Sequence, residues 1–202
     1  MILRRIALAG LLPLLLGACG NMLSFNEGPQ SSRSSSPTSS ETTQEDELIA
    51  QARREGQCRN CLVMIPTGTT NKLGNPTYKL VGLGPQKQPL YQGTVVTGRA
   101  HTQDQDRHVA GTESPAPFGV YGVEPTVRAP GSPEVGVGFI PIYAQFPTER
   151  TNLGFHHDPS FEKNNGEDGT AGCIATATRQ GFYDLKKFVL DHQPQKLVLS
   201  RT

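Results

Sequence analysis

The sequence predicts a mainly β domain with one or two peripheral helices, and three observations carry that expectation. Glycine and proline are frequent, at 22 and 16 copies, and tryptophan is absent, which favours short strands and many turns over a helical bundle. The apolar runs are short, of strand length, and bounded by turn residues. Convincing helical periodicity is confined to one stretch near the C-terminus. Hydrophobic residues make up 35% of the 202 positions, low for a globular chain, so part of the length is expected to lie outside the fold. A formal charge of +1 gives no basis for a nucleic-acid partner.

Taken in order, the N-terminus comes first. Arg4 and Arg5 precede an apolar run from Ile6 to Leu16, broken by Gly10 and Pro13. The run is short for crossing a ~30 Å hydrocarbon core, and charge, apolar run and small residues in this order predict an export signal over residues 1–18. Leu16-Gly17-Ala18-Cys19 resembles the lipobox of bacterial lipoproteins. That resemblance implies cleavage before Cys19 and lipid on its thiol, hence a lipid-anchored protein of the cell envelope. Gly20 resembles the pattern that sorts lipoproteins to the outer membrane, facing the periplasm. An ordinary secretory signal with a chance cysteine is the alternative. Residues 19–45, with Ser31 to Ser40 at their centre, have almost nothing apolar to bury and are expected to be a flexible tether.

Residues 46–76 are expected to hold a short helix, Asp46 to Arg54, acidic at its start and basic at its end as the helix dipole favours, followed by Cys58-Arg59-Asn60-Cys61. Residues 77–202 are expected to form the main folded domain. Tyr78 to Val81 and Pro89 to Gly98 predict a hairpin across a Gly-Pro turn. Phe118 to Val123 and the region around Gly138 to Tyr143 predict two more strands, with Pro141 implying an edge or a bulge. Phe182, Leu185, Phe188 and Val189 fall on one face of a helix. Lys196 to Leu199 predicts a last short strand.

The chemistry-bearing stretch is Asn152-Leu153-Gly154-Phe155-His156-His157-Asp158, followed after a polar loop by Gly169-Thr170-Ala171-Gly172-Cys173-Ile174. A nucleophilic cysteine needs a base to form thiolate and donors to hold the oxyanion made by its attack. A strand histidine and a cysteine after a glycine-rich turn supply both, and glycine lets backbone N–H groups approach a substrate. A buried, unreactive cysteine is the alternative.

These segments resemble the active-site signature of the L,D-transpeptidase (YkuD-like) catalytic domain, in which a strand histidine precedes a Ser/Thr-His-Gly-Cys segment. Val95-Val96-Thr97-Gly98 resembles that family's strand ending in Thr-Gly, and Ser114 to Val123 resembles its Thr-Pro-x-Gly-x-Phe segment, so the likeness runs over roughly residues 77 to 199. Ala171 stands where the family has a second histidine, and Ala175 where many members have Asn or Arg. The resemblance implies a β-sandwich with peripheral helices, no cofactor and no catalytic metal, with peptidoglycan stem tetrapeptides as partners. It implies Cys173 as nucleophile, His156 as base, and backbone N–H groups of Gly172 and Cys173 around the oxyanion. His157 points to the opposite strand face, towards solvent in the plainest reading, with a supporting role, or that of the base in place of His156, left open. Three roles are open to Asp158: fixing the loop, orienting an imidazole, or a plain turn. Thr170 is a possible supporting residue, and Arg150 either binds a substrate carboxylate or lies on the surface. Transpeptidation, hydrolysis by an L,D-carboxypeptidase or endopeptidase, and a non-catalytic peptidoglycan-binding lipoprotein all remain open.

In an exported chain Cys58 and Cys61 are expected to form a local disulfide, leaving Cys173 free. A thioredoxin-like site and a zinc half-site are less favoured, because no βαβ pattern and no second C-x-x-C accompany the motif. His101, Asp104, Asp106 and His108 share one polar loop, read as solvated, with a zinc peptidase as the alternative.

Overall fold

The structure is a computed structural model that describes residues 46, 47, 50–54 and 58–201. The expected signal, lipidated Cys19 and tether lie outside the described residues. Among the described residues, no helix is long and apolar enough to cross a membrane.

Eight strands follow in the order β1 (Cys61–Thr70), β2 (Pro76–Leu83), β3 (Pro89–Thr97), β4 (Gly119–Val123), β5 (Ile140–Ala144), β6 (Leu153–His157), β7 (Ile174–Thr176) and β8 (Lys196–Leu199). One helix, α1 (Arg179–His192), lies between β7 and β8. The mainly β expectation holds. The sandwich does not: the strands close into one barrel in the order β1-β2-β3-β7-β6-β5-β4-β8. The two shortest strands close the ring. β7 pairs with both β3 and β6, and β8 pairs with both β4 and β1, so each described strand has a neighbour on both sides over part of its length.

The expected domain start at residue 77 is also displaced. β1 pairs with β2 over Cys61 to Thr70 and with β8 from Leu62 to Met64, so it is part of the barrel. Its apolar residues do not alternate, because both faces are covered. Leu62 and Met64 join the large core, while Cys61, Val63 and Ile65 face outwards into a second cluster with Val81, Leu83 and Ala52. Ala52 belongs to the helical segment predicted before the C-x-x-C, so that segment covers the outer face of β1 and β2.

The predicted hairpin is β2–β3, paired from Tyr78↔Val95 to Leu83↔Pro89. β5 is not an edge strand, since it pairs with β4 and β6. Pro141 is tolerated because pairing with β4 begins one residue later, at Ile142, and its carbonyl accepts from Glu124 N–H at 3.0 Å. Helix α1 is capped by Thr178, whose side chain accepts from Gly181 N–H at 3.0 Å. Its predicted face, Phe182, Leu185, Phe188 and Val189, merges with the barrel core. Gly82 leaves room for the Phe188 ring, against which Tyr91 also stacks at 6.1 Å.

Candidate active site

The site is built where β6 and β7 run parallel, with Phe155 beside Ile174 and His156 beside Ala175. Phe155 and Ile174 are fully buried in the core. Side chains alternate along a strand, so His156, one step beyond Phe155, points away from the core, while Cys173 sits at the end of the turn that leads directly into β7. Both line a cavity of about 330 Å³, together with Asp158, Thr170, Arg99 and Val135. A second cavity of about 390 Å³ meets Cys173 and Ala171 from another side and is lined by Arg150, Asn152 and Glu113. Cys173 therefore borders both.

His156 is buried, and its Nδ1 lies 2.9 Å from the His157 carbonyl. That contact assigns the ring proton to Nδ1 and leaves the Nε2 lone pair free to accept one. Burial pushes the imidazole below its usual titration range, partly offset by that carbonyl, so it is neutral at pH 7. Cys173 is half-buried and its Sγ lies 3.9 Å from the Asn152 carbonyl. Burial pushes its thiol up, against the opposing pull of the Gly154 amide and the Arg150 charge. Burial thus favours the uncharged form of both groups, thiol and neutral imidazole.

The turn before Cys173 is held by hydrogen bonds to distant segments. The Thr170 hydroxyl donates to the Cys173 carbonyl at 2.7 Å and accepts from Gly98 N–H at 3.0 Å and Gly172 N–H at 3.1 Å. Thr97 Oγ1 donates to the Gly172 carbonyl at 3.3 Å and accepts from Ala116 N–H at 2.9 Å. Gly172 has φ +99°, and a Cβ there would overlap the Arg150 guanidinium.

These bonds correct three expectations. The Gly172 N–H is taken by Thr170, so it is not an oxyanion donor here. Arg150 is not on the surface: it is 7% exposed, and its donors go to protein acceptors, including the Ala171 carbonyl at 2.8 Å, not to an open carboxylate site. His157 does sit on the opposite strand face, but it is half-buried against Gly136, and its Nδ1 is buried without a hydrogen-bond partner.

Of the three roles open to Asp158, the structure supports loop fixing. Its carboxylate accepts from Ser160 N–H at 2.7 Å and Gly169 N–H at 2.9 Å, closing the loop that leads to the cysteine turn. Asn71 of the β1–β2 connection ties the same loop through Asp168 at 2.9 Å. Cys58 and Cys61 are joined as a disulfide, and Cys173 is free. The His101–His108 loop does not gather its side chains. Asp106 caps His108 N–H at 2.9 Å, His101 is exposed beside Glu113, and no three His, Cys, Asp or Glu side chains converge among the described residues.

Taken singly, Thr97, Gly98 and Ser114 carry no mark of a site residue in the sequence, yet in the fold they buttress the cysteine turn or its arginine. The signal was present in the Val95–Gly98 and Ser114–Val123 segments, whose roles become visible only when the chain is folded. Compared with known families, curated proteins and solved structures, the chain matches none.

Proposed function

We propose that this chain is a peptidoglycan-modifying cysteine enzyme, an L,D-transpeptidase that acts on stem tetrapeptides through a thioester at Cys173. The observation that carries this reading is that His156, on β6, and Cys173, in the turn that enters the parallel neighbour β7, line the wall of one cavity. The barrel is read as a closed variant of the sandwich that the sequence resemblance implies. Lipid on Cys19 and the Ser-rich stretch after it would hold the domain in the envelope, within reach of its substrate.

In this mechanism the tetrapeptide lies in the cavity beside His156. Sγ of Cys173 attacks the diaminopimelate carbonyl joined to D-alanine while its proton passes to His156 Nε2. The Cys173 N–H supports the oxyanion. The C–N bond then breaks, His156 returns the proton to the leaving amine, and D-alanine departs from the thioester. An acceptor amine gives a proton to His156 and attacks the thioester, the new C–N bond forms, the S–C bond breaks, and the sulfur recovers its proton. No cofactor is required. The second cavity favours transfer over hydrolysis, because it lets an acceptor approach the thioester from a side the donor does not fill. Water in that cavity would give the carboxypeptidase or endopeptidase outcome.

The test is mass spectrometry of purified disaccharide tetrapeptide incubated with the protein, alongside acylation of Cys173 by a carbapenem. Release of D-alanine with a cross-linked product is expected, and Cys173→Ala should abolish both release and acylation. Full turnover by Cys173→Ala would sink the cysteine mechanism. Peptidoglycan binding with neither D-alanine release nor an adduct would identify a non-catalytic binder.

A further inference from the structure

Arg150 is buried beside the nucleophile, yet no step above uses it. It lies just before β6, and its Nη1 donates to Thr112 Oγ1 at 3.0 Å and Ser114 Oγ at 2.9 Å. Nη1 also lies 3.3 Å from the Ser114 carbonyl and 3.4 Å from that of Val109. Its Nη2 donates to the Ala171 carbonyl at 2.8 Å. On the other side of the same peptide unit, Gly172 N–H donates to Thr170 Oγ1 at 3.1 Å. Both polar groups of the 171–172 peptide are therefore held, its carbonyl by Arg150 and its N–H by Thr170. Cys173 is the next residue, so this plane sets where Sγ can sit. Glycine at 172 is what lets the guanidinium come so close, because any Cβ would overlap it.

The charge matters as well as the geometry. Burial lowers the Arg150 guanidinium from its usual range, but that range is so high that it stays protonated around neutral pH. The other titratable groups facing the two cavities are His156, Asp158, Arg99, Glu113, Glu134 and Glu167. Arg99 is already paired with Glu113 at 2.8 Å and Glu167 at 3.1 Å, and His156 is neutral. Among the described residues no carboxylate forms a salt bridge with Arg150. It is the cation whose field is left for an anion at Cys173, in partly buried surroundings where screening is weak.

We propose that Arg150 is the positioning residue of the nucleophile, locking the 171–172 peptide and presenting a permanent positive charge to the Cys173 thiolate. The electrostatics agree in direction, since the Arg150 charge opposes the effect of burial on the thiol. The inference rests on Cys173 being the nucleophile, so its test does not use turnover. The rate of iodoacetamide alkylation at Cys173 is followed by peptide mass spectrometry on the full chain, from weakly acid to alkaline pH. Arg150→Gln should displace the pH profile to higher pH by about one unit, a tenfold slower reaction at any pH below the midpoint. Arg150→Lys, which keeps the charge without the planar fork, should lie closer to wild type. Should the Gln variant fail to fold, the double variant Thr112→Val, Ser114→Ala decides. It frees the guanidinium from its side-chain anchors and should move the profile in the same direction by a smaller amount. A folded Gln or double variant with the wild-type profile overturns the proposal. A wild-type Cys173 that resists alkylation throughout the range overturns the nucleophile reading instead.

Discussion

The β1–β2–β3 wall and the β6–β7 corner of the barrel are held together in different ways. The wall consists of long strands with apolar side chains on both faces, Leu62, Met64 and Leu80 inwards and Val63, Ile65 and Val81 outwards. The corner consists of a five-residue and a three-residue strand joined by a polar loop, with Asp158, Thr170 and Arg150 bonding backbone groups. Burial of apolar surface is tolerant of small shifts and supplies stability. Directed hydrogen bonds to a fixed turn supply placement. The difference teaches that the barrel wall stabilises the fold, while the corner uses that stability to hold one thiol and one imidazole in register.

The strongest test of this division pairs one substitution from each region. His156→Ala should lower carbapenem acylation by about 10²–10⁴-fold, the range for loss of a general base, with the fold retained. Leu80→Ala should cost about 2–5 kcal/mol of stability by opening a core cavity, while acylation per folded molecule stays close to wild type. Chemical denaturation and acylation rates measured on both variants check the pair, and the division breaks if the two effects exchange places. The pH dependence sharpens it. His156 titrates below its usual 6.5 because it is buried, so the acid limb of the acylation profile should lie below pH 6.5. The sign for stability follows. The unfolded chain binds the His156 proton more tightly than the folded one, so this contribution is complete above about pH 6.5 and declines as pH falls towards the folded-state value.

A second pair compares glycines of positive φ. Gly68, in β1, has φ +73° and nothing within 4 Å of a built Cβ, so Gly68→Ala should cost about 1–2 kcal/mol from backbone conformation alone. Gly172 has φ +99° and the Arg150 guanidinium in the way. Gly172→Ala should cost more than Gly68→Ala in melting temperature and should also suppress Cys173 acylation, because Arg150 has to leave the Ala171 carbonyl. Equal melting temperatures with normal acylation would show that the turn does not depend on this close approach.

Legibility in the sequence follows the same division, with an inversion. The hairpin, helix α1 and β8 were readable because one face is buried and periodicity survives. β1 was not, because Cys61 to Ile65 are buried on both faces and form a run without alternation, with Pro66 and Gly68 then reading as breaks. Ring closure was not readable either, since it rests on β7 and β8, strands of three and four residues whose partners are far away in sequence. At the corner, His156 and Cys173 stand out in the sequence as residue types able to do chemistry, and the structure places both on the wall of one cavity. Their supports were not legible. Nothing local says that Thr170 takes the Gly172 N–H, or that Arg150 turns inwards to Ala171, because both depend on segments brought together by the fold.

The smallest expected effect is at His157, and it tests the register on which the site depends. His156 and His157 are adjacent, and a one-residue slip would exchange their faces. In the structure His156 faces the cavity with Cys173, and His157 lies on the other strand face against Gly136. The His157 ring is held below its usual titration range by burial and by the Arg179 and Lys163 charges, and its buried Nδ1 has no partner. Removing an unpartnered polar ring leaves no orphaned donor or acceptor behind, so His157→Ala should change stability by no more than about 1 kcal/mol. Its acylation rate should fall by less than about tenfold, short of what loss of a base produces. Both variants are compared in one acylation series with thermal melts. An inactive His157→Ala beside a nearly normal His156→Ala would mean that β6 is offset by one residue, placing His157 and not His156 beside the thiol.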